Sequence, residues 1–368
     1  MNRQHNRLKF AAIAAAGVFA MAAHADTVEI GGVNWTYAEK NDTDKTIALG
    51  SGTYKVAAIP TDTVLDASDF PWTVDFDGET YTVVKLNGSA LYSCENLKGV
   101  ITVPDEVATI GTWAIAYCKG LTHAVFGRGV KSIGGKAFQG CSGLLGVLIP
   151  GPQTVTKGTQ TYTEVSADDT FTDATALKIV LLGPNTKGAA LSGKTMMRHV
   201  SNSKVYVPDN GYWDSLALGG SNNKIVKYGQ GQAFDLAFDD DVKTMIATPT
   251  TEQGLADVLN LAAVVKEEFG LNTKVSITNA IEATSGLVTA EMLSNATFDA
   301  IMFTVNTQAQ LDNVLKAVPK STQLGLVIDP TDDKKEPLTL PADREVWVHL
   351  AGNGKYIPKV NGLIISFH

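Results

Sequence analysis

Three stretches of this chain can be written beneath one another without a gap in their first sixteen positions. They are KLNGSALYSCENLKGVITVPDEVA (85–108), TIGTWAIAYCKGLTHAVFGRGVK (109–131) and SIGGKAFQGCSGLLGVLIPGPQT (132–154). A fixed-period repeat constrains architecture more than any single motif, because each unit has an apolar edge that only the next unit buries. The constant columns are Leu86, Ile110 and Ile133; Ala90, Ala114 and Ala137; Leu91, Ile115 and Phe138; Cys94, Cys118 and Cys141; and Leu97, Leu121 and Leu144. They predict a solenoid, with small alanines where one turn approaches the next and leucines pointing into a shared core.

The chain has three cysteines, 24 and 23 residues apart. That spacing follows the repeat and matches no redox or metal motif. An odd count leaves at least one thiol unpaired. Two arrangements remain open: a ladder of buried thiols behaving as small apolar groups, or a disulfide between adjacent rungs. Parallel side chains on stacked rungs suit disulfide geometry badly, which favours the ladder.

The period continues in weaker form. TFTDATALKIVLLG (170–183) aligns with AFQGCSGLLGVLIP (137–150), pairing Phe171 with Phe138 and Leu177 with Leu144 and putting Ala174 in the cysteine column. SKVYVPD (203–209) repeats the edge GVITVPD (99–105). The array is therefore expected over 85–228, with the Thr-rich segment 151–168 as an inserted loop or hairpin.

These lines resemble the BspA-like leucine-rich repeats of bacterial surface and secreted proteins, whose unit reads roughly I-G-x-x-A-F-x-x-C-x-x-L-x-x-V-x-I-P. SIGGKAFQGCSGLLGVLIPG fits almost fully and TIGTWAIAYCKGL fits the first half. The rung at 85–108 departs with Asn87 for glycine and Leu91 for phenylalanine, and the one after Leu121 reads AVFGRG without the proline. The resemblance implies a right-handed coil with short strands on one face, export, and use in adhesion or recognition, with no enzymatic activity attached to the repeat.

The flanks differ. MNRQHNRLKF carries Arg3, Arg7 and Lys9 and no acid, AAIAAAGVFAMAA follows, and AHA at 23–25 fits a cleavage site. This reads as a secretory signal peptide over 1–25. A retained anchor is the weaker reading, since the apolar run is shorter than the ~20 residues a membrane span needs; no other segment is long and apolar enough to cross. Cleavage would remove three positive charges and no negative ones, taking the formal net charge from -8 to -11. So acidic a chain is poorly suited to nucleic acid or anionic membrane surfaces.

Residues 26–84 alternate β-branched and aromatic residues with polar ones and are expected to form an N-terminal β cap on the first rung. After 228 the texture changes. Apolar runs at 243–249, 274–280, 300–306 and 324–330 alternate with helical patterns at 250–270 and 307–319. This predicts a C-terminal α/β domain over 229–368 with a parallel sheet, closed by a hairpin of REVWVHLAG and GLIISFH. The expected fold is thus mixed: a leucine-rich repeat β-solenoid with a β cap, followed by an α/β domain.

One motif points elsewhere. GAALSGKT (188–195) matches the phosphate-loop pattern in full through Gly188, Gly193, Lys194 and Thr195, and LGLVID ends in Asp329 as a magnesium-holding strand would. A working phosphate loop follows its strand directly and opens a helix. Here PNTK separates KIVLLG from Gly188, and the run after Thr195 leaves room for only a short helix before SNSK. The segment is better read as a connecting turn between rungs, with Lys194 solvated.

No H-E-x-x-H, G-x-S-x-G or C-x-x-C is present, and His123, His199, His349 and His368 are scattered. The acidic runs Asp239–Asp241 and Asp329, Asp332, Asp333 lack the calcium-loop spacing and read as solvated turns. No catalytic residue, cofactor or metal is assigned. Trp113, Tyr117 and His123, on the best-formed rungs, are the candidate ligand contacts for an extracellular protein or glycan; the alternative is that Trp113 only covers a neighbouring turn. Two further functions stay open: an enzyme with its site at the carboxyl ends of the C-terminal strands, after TP, TNA and DP, or a surface scaffold.

Overall fold

A computed structural model describes residues 26–30, 33–50, 64–153, 162–189, 193–283, 286–298, 300–328, 338–344, 346–350, 356–360 and 364–365. The expected signal peptide lies outside the described residues. The chain divides into two compact units, 1–226 and 227–368.

In the first unit, each repeat contributes one strand to each of two sheets, named short-strand and long-strand after the rungs in which Thr109–Ile110 and Ser132–Ile133 are followed by Leu121–Phe126 and Gly146–Ile149. In the short-strand sheet Leu86, Ile110, Ile133, Val165 and Gly188 are in parallel register, one per rung. In the long-strand sheet Ile101, Ala124, Val147, Val180 and Val205 form a second column, every member fully buried. Parallel strands joined by a wide connection, here repeated at one period, bury one continuous core between the sheets. All five columns named from sequence belong to it, each side chain at most 3% exposed.

A third side of each rung links the two sheets without forming a strand. Its backbone makes a ladder of its own. Trp113, Ile115 and Tyr117 N–H groups donate to the carbonyls of Gly135, Ala137 and Gln139; Lys136, Phe138 and Gly140 donate to Asp168, Thr170 and Thr172. Alternate donors adopt the left-handed conformation: Ser89, Trp113, Lys136 and Asp169 in one column, Ser93, Tyr117, Gly140 and Asp173 in another. Left-handed backbone is costly for side chains other than glycine. The same two positions recur on four rungs because the inter-rung hydrogen bonds require them. Rungs also approach closely: a Cβ on Gly134 would lie 2.7 Å from the Thr112 nitrogen. Asn87, which stands where the next two rungs carry Gly111 and Gly134, is buried and donates to the Gly50 carbonyl at 2.6 Å.

The segment 151–168 is less of an insertion than expected. Thr163–Ser166 is a rung strand paired on both sides, and Val165 sits in the Leu86 column. Residues 154–161, the rest of the expected insertion, lie outside the described residues. Spacing hid this rung, because Phe171 follows Phe138 by 33 residues where earlier rungs use 23 or 24.

Ahead of the repeats, Asp26–Ile30, Val33–Asn41 and Thr46–Leu49 pair antiparallel in succession, and Thr46–Leu49 then pairs parallel with Glu79–Leu86. Trp35, Tyr37 and Ile47, each at most 1% exposed, belong to the same core cluster as the rungs.

The second unit contains two main sheets where one was expected. Phe234–Phe238, Thr244–Pro249, Asn272–Val275 and Thr297–Phe298 form the first; Ile281–Glu282, Ile301–Thr304, Leu324–Ile328, Val346–Leu350 and Tyr356–Val360 form the second. Helix Glu252–Phe269 starts at Thr251, whose side chain accepts from the Gly254 N–H, and ends at Gly270 in left-handed conformation. Helix Gln308–Ala317 starts with a full capping box between Thr307 and Gln310. The closing hairpin is different from the expected one. Val346–Leu350 pairs antiparallel with Tyr356–Val360, while Ile364–Ile365 pairs with Leu338–Thr339. The stretch read as a connection, NGKYIPKVN, supplies the partner strand, since its apolar residues can continue the sheet.

Candidate functional site

The third side of the coil brings together two of the three residues singled out from sequence. Trp113 and Tyr117 lie on one rung, both half-buried, and Tyr92 on the preceding rung joins them. The Tyr92 ring stacks on Trp113 with centroids 5.7 Å apart and meets Tyr117 edge-on at 5.2 Å. Lys136, one rung on, places its ammonium 5.5 Å from the Trp113 ring centre. Tyr117 leans across Gly140, where a Cβ would come within 2.4 Å of its ring. Each aromatic therefore rests on a neighbouring turn while keeping part of its surface in solvent. The Trp113 Nε1 is buried without a hydrogen-bond partner. Burial raises the Tyr117 hydroxyl pKa, with smaller contributions from Tyr92 and Asp173.

His123 does not join them. It lies in the long strand Leu121–Phe126, in register with Val100 and Gly146, and is only 8% exposed. Its Nδ1 lies 3.2 Å from the Thr122 hydroxyl. So little of it is exposed that it does not share the open surface of Trp113 and Tyr117. The middle of the sheet that holds it also has Leu148, Leu181 and Tyr206 between its core columns, each at most 6% exposed, while Val100 at its edge is 38% exposed.

Beyond Lys136 the third side becomes charged. Asp168 pairs with Lys194 at 3.0 Å, Asp169 with Arg198 at 2.5 Å and Asp173 with His199 at 2.6 Å. Desolvation pushes the Asp169 carboxyl up, yet the Arg198 and Thr172 hydrogen bonds prevail and hold it below the usual range. Elsewhere on the stack Glu95 pairs with Lys119 and Glu164 with Lys187. In each case the acid precedes its base by one turn of the repeat. These pairs were missed in the sequence, and the signal was available: opposite charges one period apart. Exposed pairs of this kind contribute only about 0–1 kcal/mol each, so their main effect is to fix a charge pattern.

All three cysteines are buried and free. The Cys118 thiol donates to the Leu91 carbonyl and the Cys141 thiol to the Ile115 carbonyl, each at 3.0 Å. Burial raises the Cys118 pKa well above its ordinary value and pushes Cys141 up to about 12. Thiols in that state are poor nucleophiles and poor metal ligands. Among the described residues no group of three or more histidines, cysteines and carboxylates could hold a metal ion. Asp239 accepts the Lys243 and Thr244 N–H groups and so closes a turn; Asp329, Asp332 and Asp333 lie outside the described residues.

The phosphate-loop motif is taken apart by the fold. Gly188 is in the rung strand Thr186–Ala189, Thr195 forms a parallel bridge to Ala217, and no helix starts at Lys194. Lys194 is half-exposed and engaged with Asp168. A phosphate cradle needs consecutive free amides at a helix start, whereas Gly188 lies in a paired strand and Thr195 in a bridge.

Residues 78–165 match the model of the BspA type leucine rich repeat region in six copies. Similar solved structures include a leucine-rich repeat protein from Bacteroides capillosus, 26% identical over 44% of this chain and 99% of its own, with a TM-score of 0.28. A leucine rich cell surface protein from Faecalibacterium prausnitzii is 11% identical over 89% of this chain and 96% of its own, with a TM-score of 0.34. The pneumococcal vaccine antigen PcpA is 10% identical over 85% and 95%, with a TM-score of 0.31. No curated protein matches the chain. Among the described residues no helix is long and apolar enough to cross a membrane. The stacked columns, the inter-rung ladder and the matched segment agree: residues 78–165 are a BspA-type leucine-rich repeat region.

Proposed function

We propose that this is an exported, non-enzymatic recognition protein, and that it engages a folded extracellular protein through the third side of its coil. The observation that carries the reading is the half-exposed aromatic group Tyr92, Trp113 and Tyr117, held by two hydrogen-bonded rungs and continued by fixed charges at Lys136, Asp169, Arg198 and Asp173. Large aromatics ordered before binding lose little side-chain entropy on contact, which is why such groups dominate interface energies. A run of alternating charge beside them favours a protein surface over a uniform polyanion. The strands 26–49 serve as the cap, since they join the core of the first rungs with antiparallel pairing that ends the stack.

Residues 26–368 would be screened against arrays of extracellular matrix proteins and of glycans, beside Trp113→Ala, Tyr117→Ala and Asp173→Arg. Retention of a protein partner, weakened about tenfold or more by these substitutions, is expected. Tight ATP binding abolished by Lys194→Ala would refute the reading, as would partner binding indifferent to all three variants.

A further inference from the structure

A groove on the second sheet of residues 227–368 has no part in the coil's recognition role. Its strands put Met302, Gly325 and Trp347 in one cross-strand row, Met302 in register with Gly325 and Gly325 with Trp347. Side chains alternate across a strand. Leu324 and Leu326, the neighbours of Gly325, are each 1% exposed, whereas Trp347 is 39% exposed. The row therefore lies on the open face. A Cβ on Gly325 would sit 3.0 Å from the Met302 Cγ, so any side chain there would occupy the gap between Met302 and the indole. A glycine inside a strand costs stability and marks a place where something approaches the backbone closely.

The gap is part of a groove of about 380 Å³, within the ~300–1,000 Å³ range of small-molecule sites. Met302 and Gly325 form its floor, Trp347 a wall, and the exposed amides of Asn279 and Gln323 stand at its edges. Among the described residues no ionisable side chain lines it. A neighbouring cavity of about 340 Å³ shares Trp347 and carries the charges instead, with Lys320 paired to Asp343 and the Arg344 guanidinium donating to the Val318 and Thr322 carbonyls.

We propose that the groove binds a neutral hexopyranose unit of a glycan, its apolar C–H face on Trp347 and its hydroxyls on the two amides. An amide both donates and accepts, as a sugar hydroxyl does. The open glycine floor admits a flat ring against the sheet. The described lining offers no cation to pair with the carboxylate of an acidic sugar, and in the neighbouring cavity Lys320 is already paired with Asp343.

The test uses residues 26–368 and the methyl glycosides of glucose, galactose, mannose, N-acetylglucosamine and N-acetylneuraminic acid, read by saturation-transfer NMR and tryptophan emission. At least one neutral glycoside is expected to bind in the millimolar range or tighter. Trp347→Ala and Asn279→Ala should each weaken it about tenfold, and Trp113→Ala should leave it unchanged; Asn279 is exposed, so its loss spares the fold. Three results would overturn the proposal: no neutral glycoside binding at millimolar concentration, binding unaffected by both groove variants, or binding of the N-acetylneuraminic acid glycoside alone. None of these bears on the coil's partner, which is scored by the Trp113 variants.

Discussion

The two units both rest on parallel strands, but they specify those strands in opposite ways. In residues 85–208 parallel neighbours are equivalents of one another: Ile101, Ala124, Val147, Val180 and Val205 fill one column, and acids meet bases one turn later. In residues 227–368 unlike segments meet once, as where Met302 faces Gly325 and Gly325 faces Trp347. A repeat spreads its surface over many similar rungs and suits extended contact with a macromolecule. A sheet built from single-copy strands can leave out one side chain and so create one concave site, as Gly325 does.

The sharpest way to break this comparison is a core truncation. The Phe138 ring stacks on Phe171 at 5.6 Å and meets Phe126 at 5.9 Å, so it ties three rungs together. Phe138→Ala should cost about 3–5 kcal/mol. Hydrogen exchange should show the loss spread over the strands Leu121–Phe126, Gly146–Ile149 and Ile179–Leu182. Loss confined to one rung would mean that the stack is not cooperative.

A smaller effect separates the thiol column from everything in the second unit. Cys141 titrates near 12 in the folded chain against an ordinary value of 9.0. A raised folded pKa contributes stability that is complete below the unfolded value and is lost as pH rises toward the folded one. The unfolding free energy should therefore be flat in pH up to about 9, as far as the thiols decide, and then fall by about 1.4 kcal/mol per pH unit for each raised thiol. Cys118, also raised by burial, adds a like share, so Cys141→Ala should roughly halve that limb between pH 9 and 10, before the buried Tyr37 and Tyr228 add their own. An unchanged limb would mean that the thiol is solvated.

The smallest change belongs to the second unit. Thr307→Ala removes the capping box of Gln308–Ala317 and should cost about 1 kcal/mol. Its exchange signature should stay within that helix, where the Phe138 loss should travel along the stack.

How much of this could be read in the sequence follows from the same contrast. The period exposed the core columns, because every apolar position was written three times over. It failed where spacing changed, so Val165 was taken for part of an insertion. It also concealed the left-handed positions, since Trp113, Tyr117 and Lys136 stand where only Gly140 would have announced the conformation. The burial of His123 was not legible, because a period gives equivalence between rungs and says nothing about which side of a strand is covered. In the second unit both helices were legible from local spacing over 250–270 and 307–319, and their ends at Thr251, Gly270 and Thr307 are set by local contacts. Register was not: the division into two sheets and the partner of Val346–Leu350 depend on contacts that each occur once. Gly325 stood in plain view inside LGLVID, but only its neighbours Met302 and Trp347 make it the floor of a groove.

The account turns on the third side of the coil being the face that recognises a partner. Hydrogen exchange of residues 26–368, free and saturated with the protein captured on the array, measures this directly. Added protection over 89–93, 111–117 and 135–140 is predicted, with the long-strand sheet and residues 227–368 unchanged. Protection confined to Leu121–Phe126 and Gly146–Ile149, or to the second unit, would contradict it.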